Sequence, residues 1–350
     1  MECLFFINPR SGGGAGQKLA EELETFQLPL AISKQIVFTD PSRLRSQVYS
    51  CASRKDLVVI CGGDGTINGV ISHLVNLNPI PTVAFIPLGT GNDIARSTGW
   101  YDSWERLGIN GLYHAIKKAQ TKMLDIWSLS LMSRECQKEY IFVAYAGFGC
   151  DGQICMEFMS LEGFLRKISL PPPTKRLFYI PPGLKALFRE ILGKTRFEFA
   201  LKDCDSKDSV HPRRTAGQLL FINMPSYAGG TLILKDLDFS DGSIDCLAFK
   251  SCVEYLFKIL FSGFKDSKGL SSHAKGDCFH IKIHQDVHFQ VDGEPCGLAL
   301  AETELVVRHR RTLPLLLPLR DDLARSRLCE NEVNLEFEEG LVPSAKPAIT

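Results

Sequence analysis

The chain has 350 residues, of which 45% are hydrophobic and 23% charged, and this composition is enough to bury a sizeable core. Its 40 basic residues balance 40 acidic ones, which argues against a protein that attracts nucleic acid over its whole surface. The longest apolar runs fall well short of the roughly 20 residues that span a bilayer, so we predict no transmembrane segment.

The first residues lack the basic start, the apolar stretch and the cleavage site of a signal peptide. The 12 cysteines are scattered and form no CxxC pair. We therefore expect a cytoplasmic protein with reduced cysteines.

The first 95 residues alternate short apolar runs with stretches of helical character. The apolar runs are CLFFI, QIVF, DLVVIC and TVAFIP, and helices are predicted near residues 16–26, near residues 41–52 and from Thr66 onward. This alternation predicts an α/β domain over residues 1–124, with a parallel sheet and flanking helices. In such sheets ligands bind beyond the carboxyl ends of the strands.

Beyond residue 125 the pattern changes to strand-like runs separated by polar, glycine or proline turns. It predicts a β-rich, mostly antiparallel sandwich domain over residues 125–320. Helices are expected within it near residues 181–192 and 253–264. Residues 321–350 are acidic and weakly periodic, and we expect them to form a flexible tail.

Three glycine-rich segments each follow a predicted strand: NPRSGGGAG at residues 8–16, CGGDGTINGV at residues 61–70 and PLGTGNDIAR at residues 87–96. Glycines let backbone N–H groups approach an anion, and the start of the next helix favours negative charge. The first segment does not match a Walker P-loop, because Gln17 separates Gly16 from Lys18. Asp64 could hold Mg²⁺ or orient a hydroxyl, and a role as a turn or capping residue is the alternative.

The segments NPRSGG, GGDGT and GTGND, in this order and at these separations, resemble the catalytic domain of the diacylglycerol kinase family. The wider superfamily includes sphingosine, ceramide and NAD kinases. FGCDG, NMPSYAGG, DFSDGSID and QVDGEP extend the resemblance to about residue 310. It implies two domains with the active site between them, and ATP-dependent phosphorylation of diacylglycerol to phosphatidic acid. Gly69 stands where NAD kinases usually have glutamate, which counts against that activity.

The resemblance also implies roles for individual residues. Glu294 matches the proton acceptor for the lipid hydroxyl, with Asp292 beside it, and Asp64 is the other candidate for the base. Asp64 and Asp93 would organise Mg²⁺ on the phosphates, while Asp238, Asp241 and Ser243 match a structural metal site. ATP would contact residues of the three loops and one threonine after the second strand, namely Asn8, Pro9, Arg10, Ser11, Gly12, Thr39, Gly62, Gly63, Asp64, Gly65, Thr66, Ile67, Asn68, Gly69, Gly89, Thr90, Gly91, Asn92 and Asp93.

A lipid acceptor implies contact with a membrane surface, so we expect a peripherally membrane-associated protein that binds no nucleic acid. Residues 158–194 mix aromatic and basic side chains in a way that suits docking at lipid headgroups, with a packed core as the alternative. The helix at residues 253–264 is expected to be packed rather than to anchor. The acceptor stays open among diacylglycerol, sphingoid base, ceramide and monoacylglycerol. A non-catalytic lipid-binding protein is the less favoured hypothesis, and the oligomeric state is open, a homodimer included.

Overall fold

The computed structural model describes residues 1–28, 32–132, 137–165, 196–203, 213–234, 236–261 and 272–318. The helix predicted near residues 181–192 and the tail at residues 321–350 lie outside the described residues. So does the aromatic and basic segment at residues 158–194 beyond residue 165.

The first domain is built on a parallel sheet with the strand order β2-β1-β3-β4. β1, β3 and β4 are almost entirely buried, as expected for parallel strands that are covered on both faces. The α/β prediction is confirmed. The elements are β1 (Glu2–Ile7), α1 (Ala15–Thr25), β2 (Ser33–Phe38), α2 (Leu44–Cys51), β3 (Leu57–Gly62), α3 (Asp64–Leu74), β4 (Thr82–Pro87), α4 (Asp93–Ser97), α5 (Trp100–Leu107) and α6 (Ile109–Lys118).

The second domain is a sandwich of two sheets, which confirms the predicted β-rich architecture. Its elements are β5 (Thr121–Met132), β6 (Gln137–Phe142), β7 (Tyr145–Gly149), α7 (Cys150–Leu165), β8 (Phe197–Asp203), β9 (Arg214–Ala216), β10 (Gln218–Ile222), β11 (Ser226–Tyr227), β12 (Thr231–Leu232), β13 (Ile244–Phe249), α8 (Cys252–Phe261), β14 (Ser272–Gly276), β15 (Cys278–Ile283), β16 (Val287–Val291), β17 (Glu294–Ala299) and β18 (Glu304–Leu316). One sheet has the order β14-β13-β10-β7-β16-β17, and the other contains β18, β15, β8 and β9 together with β5 and β6. Aromatic side chains such as Trp127, Phe148, Phe221 and Phe289 fill the core between them.

The long strand β18 joins the two domains. It pairs with β5 in antiparallel fashion along its length and with β4 in parallel fashion at Leu315. Leu313 and Leu315 belong to the core of the first domain, and the indole N–H of Trp100 donates to the Leu316 carbonyl at 2.9 Å. The end of the segment assigned to the second domain therefore completes the sheet of the first.

Helix α8 corresponds to the helix predicted at residues 253–264, whose last three residues lie outside the described part of the chain. Tyr255 is buried whereas Val253 and Phe257 are exposed, so the helix is packed on one side. None of the helices within the described ranges is long and apolar enough to cross a membrane. Cys150 and Cys252, which are 102 residues apart in sequence, form a disulfide. The expectation of reduced cysteines is wrong for this pair.

Candidate active site

The three glycine-rich segments follow β1, β3 and β4, which are neighbours in the sheet. Their loops meet backbone to backbone, because a Cβ atom on Gly89 would lie only 2.5 Å from the Cα atom of Gly63. Gly12 has a φ of +61°, and a Cβ atom there would lie 2.8 Å from the Leu88 carbonyl oxygen. Glycine is thus required for the loops to pack into one rim.

Asn8 connects the first loop to the second. Its amide nitrogen donates to Thr66 Oγ1 at 2.9 Å, and its Oδ1 accepts from the N–H of Arg10 at 3.0 Å. Thr39 lies beside this loop, since its N–H donates to the Ile7 carbonyl at 2.8 Å. Arg10, Gly12 and Thr90 are exposed on the rim.

The later residues of the second segment lie within α3 and contact other parts of the first domain. Ile67 is fully buried in the apolar core, and Gly69 faces α2, where a Cβ atom would lie 3.1 Å from Leu44 Cδ2. The amide oxygen of Asn68 accepts from Ser72 Oγ at 3.0 Å. The Ile67 side chain is therefore part of the core, while the predicted ATP contacts of Asn68 and Gly69 stay predictions.

Asp64, the first residue of α3, bridges the second and third loops. Its Oδ2 accepts from the N–H of Asp93 and its Oδ1 from the N–H of Ile94, both at 3.0 Å. Burial, followed by the neighbouring Asp93, raises the pKa of Asp64 to about 7. With one donor on each oxygen, the carboxylate keeps lone pairs for a metal ion or a proton.

Asp93 is 2% exposed and its donors come from the second domain. Its Oδ1 accepts from Ser226 Oγ at 2.7 Å and from the N–H of Gly230 at 2.9 Å. Its Oδ2 accepts from Tyr145 Oη at 3.2 Å and from the N–H of Gly229 at 2.9 Å. The carboxylate is saturated with donors, so the predicted magnesium role of Asp93 does not fit its contacts.

Asp292 and Gly293 form the two-residue turn between β16 and β17, with φ angles of +48° and +83°. The Asp292 carboxylate is buried and accepts from the N–H groups of Val143, Ala144 and Tyr145 at 2.8–2.9 Å. Burial raises the pKa of Asp292 to about 6, although these donors oppose the shift. These three backbone donors give the buried Asp292 carboxylate a structural role, and its predicted catalytic role stays a prediction.

Glu294 follows this turn and is exposed. Its Oε1 lies 2.8 Å from the point that a Cβ atom on Gly65 would occupy. Gly65 is the residue after Asp64 in α3, so a carboxylate of the second domain reaches the first turn of this helix. Of the two predicted base candidates, Glu294 thus reaches the residue next to Asp64.

The predicted structural metal site at Asp238, Asp241 and Ser243 has other contacts. Lys122 donates to Asp238 and Lys275 to Asp241, each at 2.6 Å, and the N–H of Ser243 donates to Asp241 at 2.9 Å. An ammonium group on each carboxylate does not fit a divalent ion. In the part of the chain that the structure describes, no three His, Cys, Asp or Glu side chains are grouped so that they could hold a metal.

Tyr145, Ser226 and the glycine pair Gly229–Gly230 were given no role by the sequence analysis, yet they hold Asp93. Three of these four lie in the segment NMPSYAGG, one of the segments that carry the family resemblance. The two adjacent glycines were the available signal, because consecutive N–H groups in such a turn can bind a carboxylate.

Comparison with known proteins gives two successive family matches along the chain. Residues 2–129 match the diacylglycerol kinase catalytic domain family, and residues 141–295 match the diacylglycerol kinase accessory domain family. The chain is 28% identical over 335 residues to the eye-specific diacylglycerol kinase of Drosophila melanogaster, covering 87% of this chain and 22% of that protein. It is 28% identical over 313 residues to diacylglycerol kinase 2 of Arabidopsis thaliana, covering 83% of this chain and 43% of that protein.

The chain thus spans less than half the length of these curated relatives. A crystal structure of a diacylglycerol kinase from Bacillus anthracis str. Sterne superposes with a TM-score of 0.60 at 19% identity. The match covers 90% of this chain and 96% of that chain, and it supports the two-domain fold.

Proposed function

Since the chain belongs to the diacylglycerol kinase family, we propose that it is a kinase that transfers the terminal phosphate of ATP to the free hydroxyl of diacylglycerol, with Mg²⁺, and yields phosphatidic acid. The observation that carries this proposal is the position of Glu294, whose carboxylate from the second domain lies against Gly65 at the start of α3. A carboxylate beside a glycine-rich, anion-binding rim suits the transfer of a phosphate to an alcohol.

The rim supplies the groups that phosphoryl transfer requires. The first N–H groups of α1 and α3 have no acceptors within their helices and attract anions. Arg10 adds an exposed positive charge to the first loop. Because phosphoryl transfer depends mainly on positioning and on neutralisation of charge, these backbone groups would carry most of the task on the ATP side.

Asp64 would hold the magnesium ion. Its oxygens each accept one backbone N–H and keep a free lone pair, whereas the Asp93 oxygens are fully occupied. Bound Mg²⁺ neutralises negative charge on the phosphate oxygens.

Glu294 would accept the proton of the lipid hydroxyl. The hydroxyl oxygen forms the new bond to the terminal phosphorus, the bond to the bridging oxygen of ADP breaks, and the proton passes to the Glu294 carboxylate. Asp64 is the second candidate for the base, because a carboxyl pKa of about 7 suits proton transfer near neutral pH. The Asp292 carboxylate would position the turn on which Glu294 lies.

The lipid would be reached by peripheral contact with a membrane surface. In a decisive test, the purified protein is incubated with labelled ATP, Mg²⁺ and mixed micelles. Each set of micelles contains one lipid: diacylglycerol, sphingosine, ceramide or monoacylglycerol. We expect label in phosphatidic acid. Label only in another lipid would reassign the acceptor, and binding of Mg²⁺–ATP without labelling of any lipid would favour the non-catalytic hypothesis.

The role of Glu294 is tested by the Glu294→Gln variant, which preserves shape but cannot accept the proton. Loss of a positioned base should lower kcat on the order of 100-fold to 10,000-fold. Glu304→Gln is the matched control, since Glu304 is an equally exposed glutamate at the start of β18. Full activity of Glu294→Gln would exclude Glu294 as the base and leave Asp64 as the candidate.

A further inference from the structure

A chain of buried polar side chains lies behind the turn that carries Glu294. Asp151, near the start of α7, is 9% exposed. Its Oδ2 accepts from Tyr227 Oη at 2.5 Å and from Gln290 Nε2 at 2.6 Å, and its N–H donates to Gln218 Oε1 at 2.8 Å. The hydroxyl of Tyr227 lies 2.7 Å from that of Tyr255. Asp151 is thus the centre of a hydrogen-bond network within the second domain.

Gln290 connects this network to the turn. The side chain is fully buried, and while its amide nitrogen donates to Asp151, its amide oxygen accepts from the N–H of Gly293 at 2.8 Å. The two bonds fix which way the amide faces. Gly293 is the residue between Asp292 and Glu294, so the network reaches the residue next to the proposed base.

Local backbone features make room for this arrangement. The register of β16 against β17 shifts between Phe289 and Gln290, and such an irregularity redirects a side chain. On the neighbouring strand β7, a Cβ atom on Gly147 would lie 2.8 Å from Gln290 Nε2 and 2.9 Å from Asp151 Oδ2. Glycine is required there because a larger residue would occupy the site of the hydrogen bond.

Burial of a carboxyl group in this way has an energetic disadvantage. It raises the pKa of Asp151, although its hydrogen-bond donors oppose the shift. Replacement of buried polar groups by well-packed apolar ones is often neutral or stabilising. A contribution to stability therefore explains the presence of this network poorly. A role in fixing the geometry of the Asp292–Gly293 turn explains it specifically.

We propose that Asp151 and Gln290 are positioning residues: Gln290, held by Asp151, fixes the Asp292–Gly293 turn so that Glu294 stays against the start of α3. This inference rests on the proposed kinase function. Neither side chain needs to touch the substrate, since displacement of a reacting group by 1 Å can lower a rate about 100-fold.

The test compares two leucine variants. Gln290→Leu keeps most of the side-chain volume and removes both hydrogen bonds. Gln218→Leu is the matched control, because Gln218 is also fully buried and bonded to Asp151 but donates to the Leu219 carbonyl rather than contacting the turn. We expect Gln290→Leu to lower kcat on the order of 100-fold with KM for ATP within about twofold of the wild type. Gln218→Leu should lower kcat far less.

Asp151 has its own pair of variants. Asp151→Asn can retain an acceptor oxygen for Tyr227 and Gln290, whereas Asp151→Ala cannot. The asparagine variant should therefore recover most of the kcat that the alanine variant loses. An equal loss in both, or an equal loss in Gln290→Leu and Gln218→Leu, would overturn the proposal.

Hydrogen exchange provides a readout that does not depend on activity, and the amides of the core strands show in the same experiment whether a variant is folded. Gly293 is exposed, so its N–H should exchange fast unless Gln290 accepts from it. We expect slow exchange of the Gly293 amide in the wild type and in Gln218→Leu, and faster exchange in Gln290→Leu. Exchange of the wild-type amide at the rate of an unprotected turn would overturn the proposal. A wild type without kinase activity would overturn the proposed function, and the exchange result would still decide whether Gln290 holds the turn.

Discussion

Replacement of Asp93 by asparagine should weaken the contact between the two domains. The buried carboxylate accepts from the Tyr145 and Ser226 hydroxyls and from the N–H groups of Gly229 and Gly230. Asparagine has nearly the same shape but puts an NH₂ donor in place of one oxygen. Because the Gly229 N–H lies 3.0 Å and 2.9 Å from the two oxygens, it faces that donor whichever way the amide turns.

The magnitude follows from the donors that cannot adapt. The two hydroxyl groups can rotate and donate elsewhere, but the backbone N–H groups cannot. One or two hydrogen bonds to a charged acceptor are therefore lost, at about 1.5–3 kcal/mol each. We expect Asp93→Asn to lower the free energy of unfolding by about 2–4 kcal/mol, since some of the remaining interactions relax.

Urea unfolding followed by tryptophan fluorescence measures this loss, with Trp100 reporting on the first domain and Trp127 on the core of the second. Asp102→Asn is the control, because Asp102 is exposed in the first turn of α5 and its loss should change the free energy of unfolding by less than about 1 kcal/mol. If Asp93 held magnesium, the loss would appear only with Mg²⁺ present. The hydrogen bonds predict the same loss in EDTA, and a variant as stable as Asp102→Asn would refute the reasoning.

Two further predictions concern Asp64 and Asp238, for both of which the sequence suggests a metal. Burial raises the pKa of Asp64 to about 7. Between about pH 4 and 7 the native state therefore keeps a proton on Asp64 that the unfolded chain has released. The free energy of unfolding consequently falls as the pH rises through this range. Urea unfolding at several pH values should show a steeper fall of the unfolding free energy with pH in the wild type than in Asp64→Asn. Parallel plots of this free energy against pH for the two proteins would contradict the prediction. Asp238→Asn should lower the unfolding free energy by no more than about 1 kcal/mol, equally in EDTA and in Mg²⁺, because Asp238 pairs with Lys122 at the surface. A loss seen only in Mg²⁺ would restore the metal site that the sequence predicts.

The rim of glycine loops could be predicted because its causes are local. Each loop directly follows an apolar run, and parallel strands bring such loops to one edge of the sheet. The close contact of Gly63 with Gly89 shows that the second and third loops do meet at this edge. The strand that completes the sheet could not be foreseen, since Leu315 pairs with Val83 from far along the chain.

The acids were harder to assign, because a motif names a residue type and not its partners. Asp93 lies in GTGND, but its donors Gly229 and Gly230 are 136 and 137 residues away in sequence. Asp292 lies in QVDGEP, but it accepts from Val143, which is 149 residues away. Such pairings join residues that are far apart in the chain and form only when it folds, so a single sequence carries little sign of them. The Cys150–Cys252 disulfide could not be predicted for the same reason, because its two cysteines are 102 residues apart in sequence.

Hydrogen-bond capacity separates the four acids at the centre of the molecule into two kinds. Asp93 accepts hydroxyl and backbone donors from the second domain and so ties the two domains together. Asp292 accepts three backbone N–H groups within the second domain and so fixes the turn that carries it. Asp64 keeps free lone pairs, and Glu294 is exposed beside Gly65. Fixed acids would give Asp64 and Glu294, the proposed reacting pair, a defined separation, which transfer of a phosphate between two bound molecules requires. Under the proposed function, loss of Asp93 should therefore lower the activity through displacement of the second domain, because the groups of that domain that bind its carboxylate would lose their acceptor.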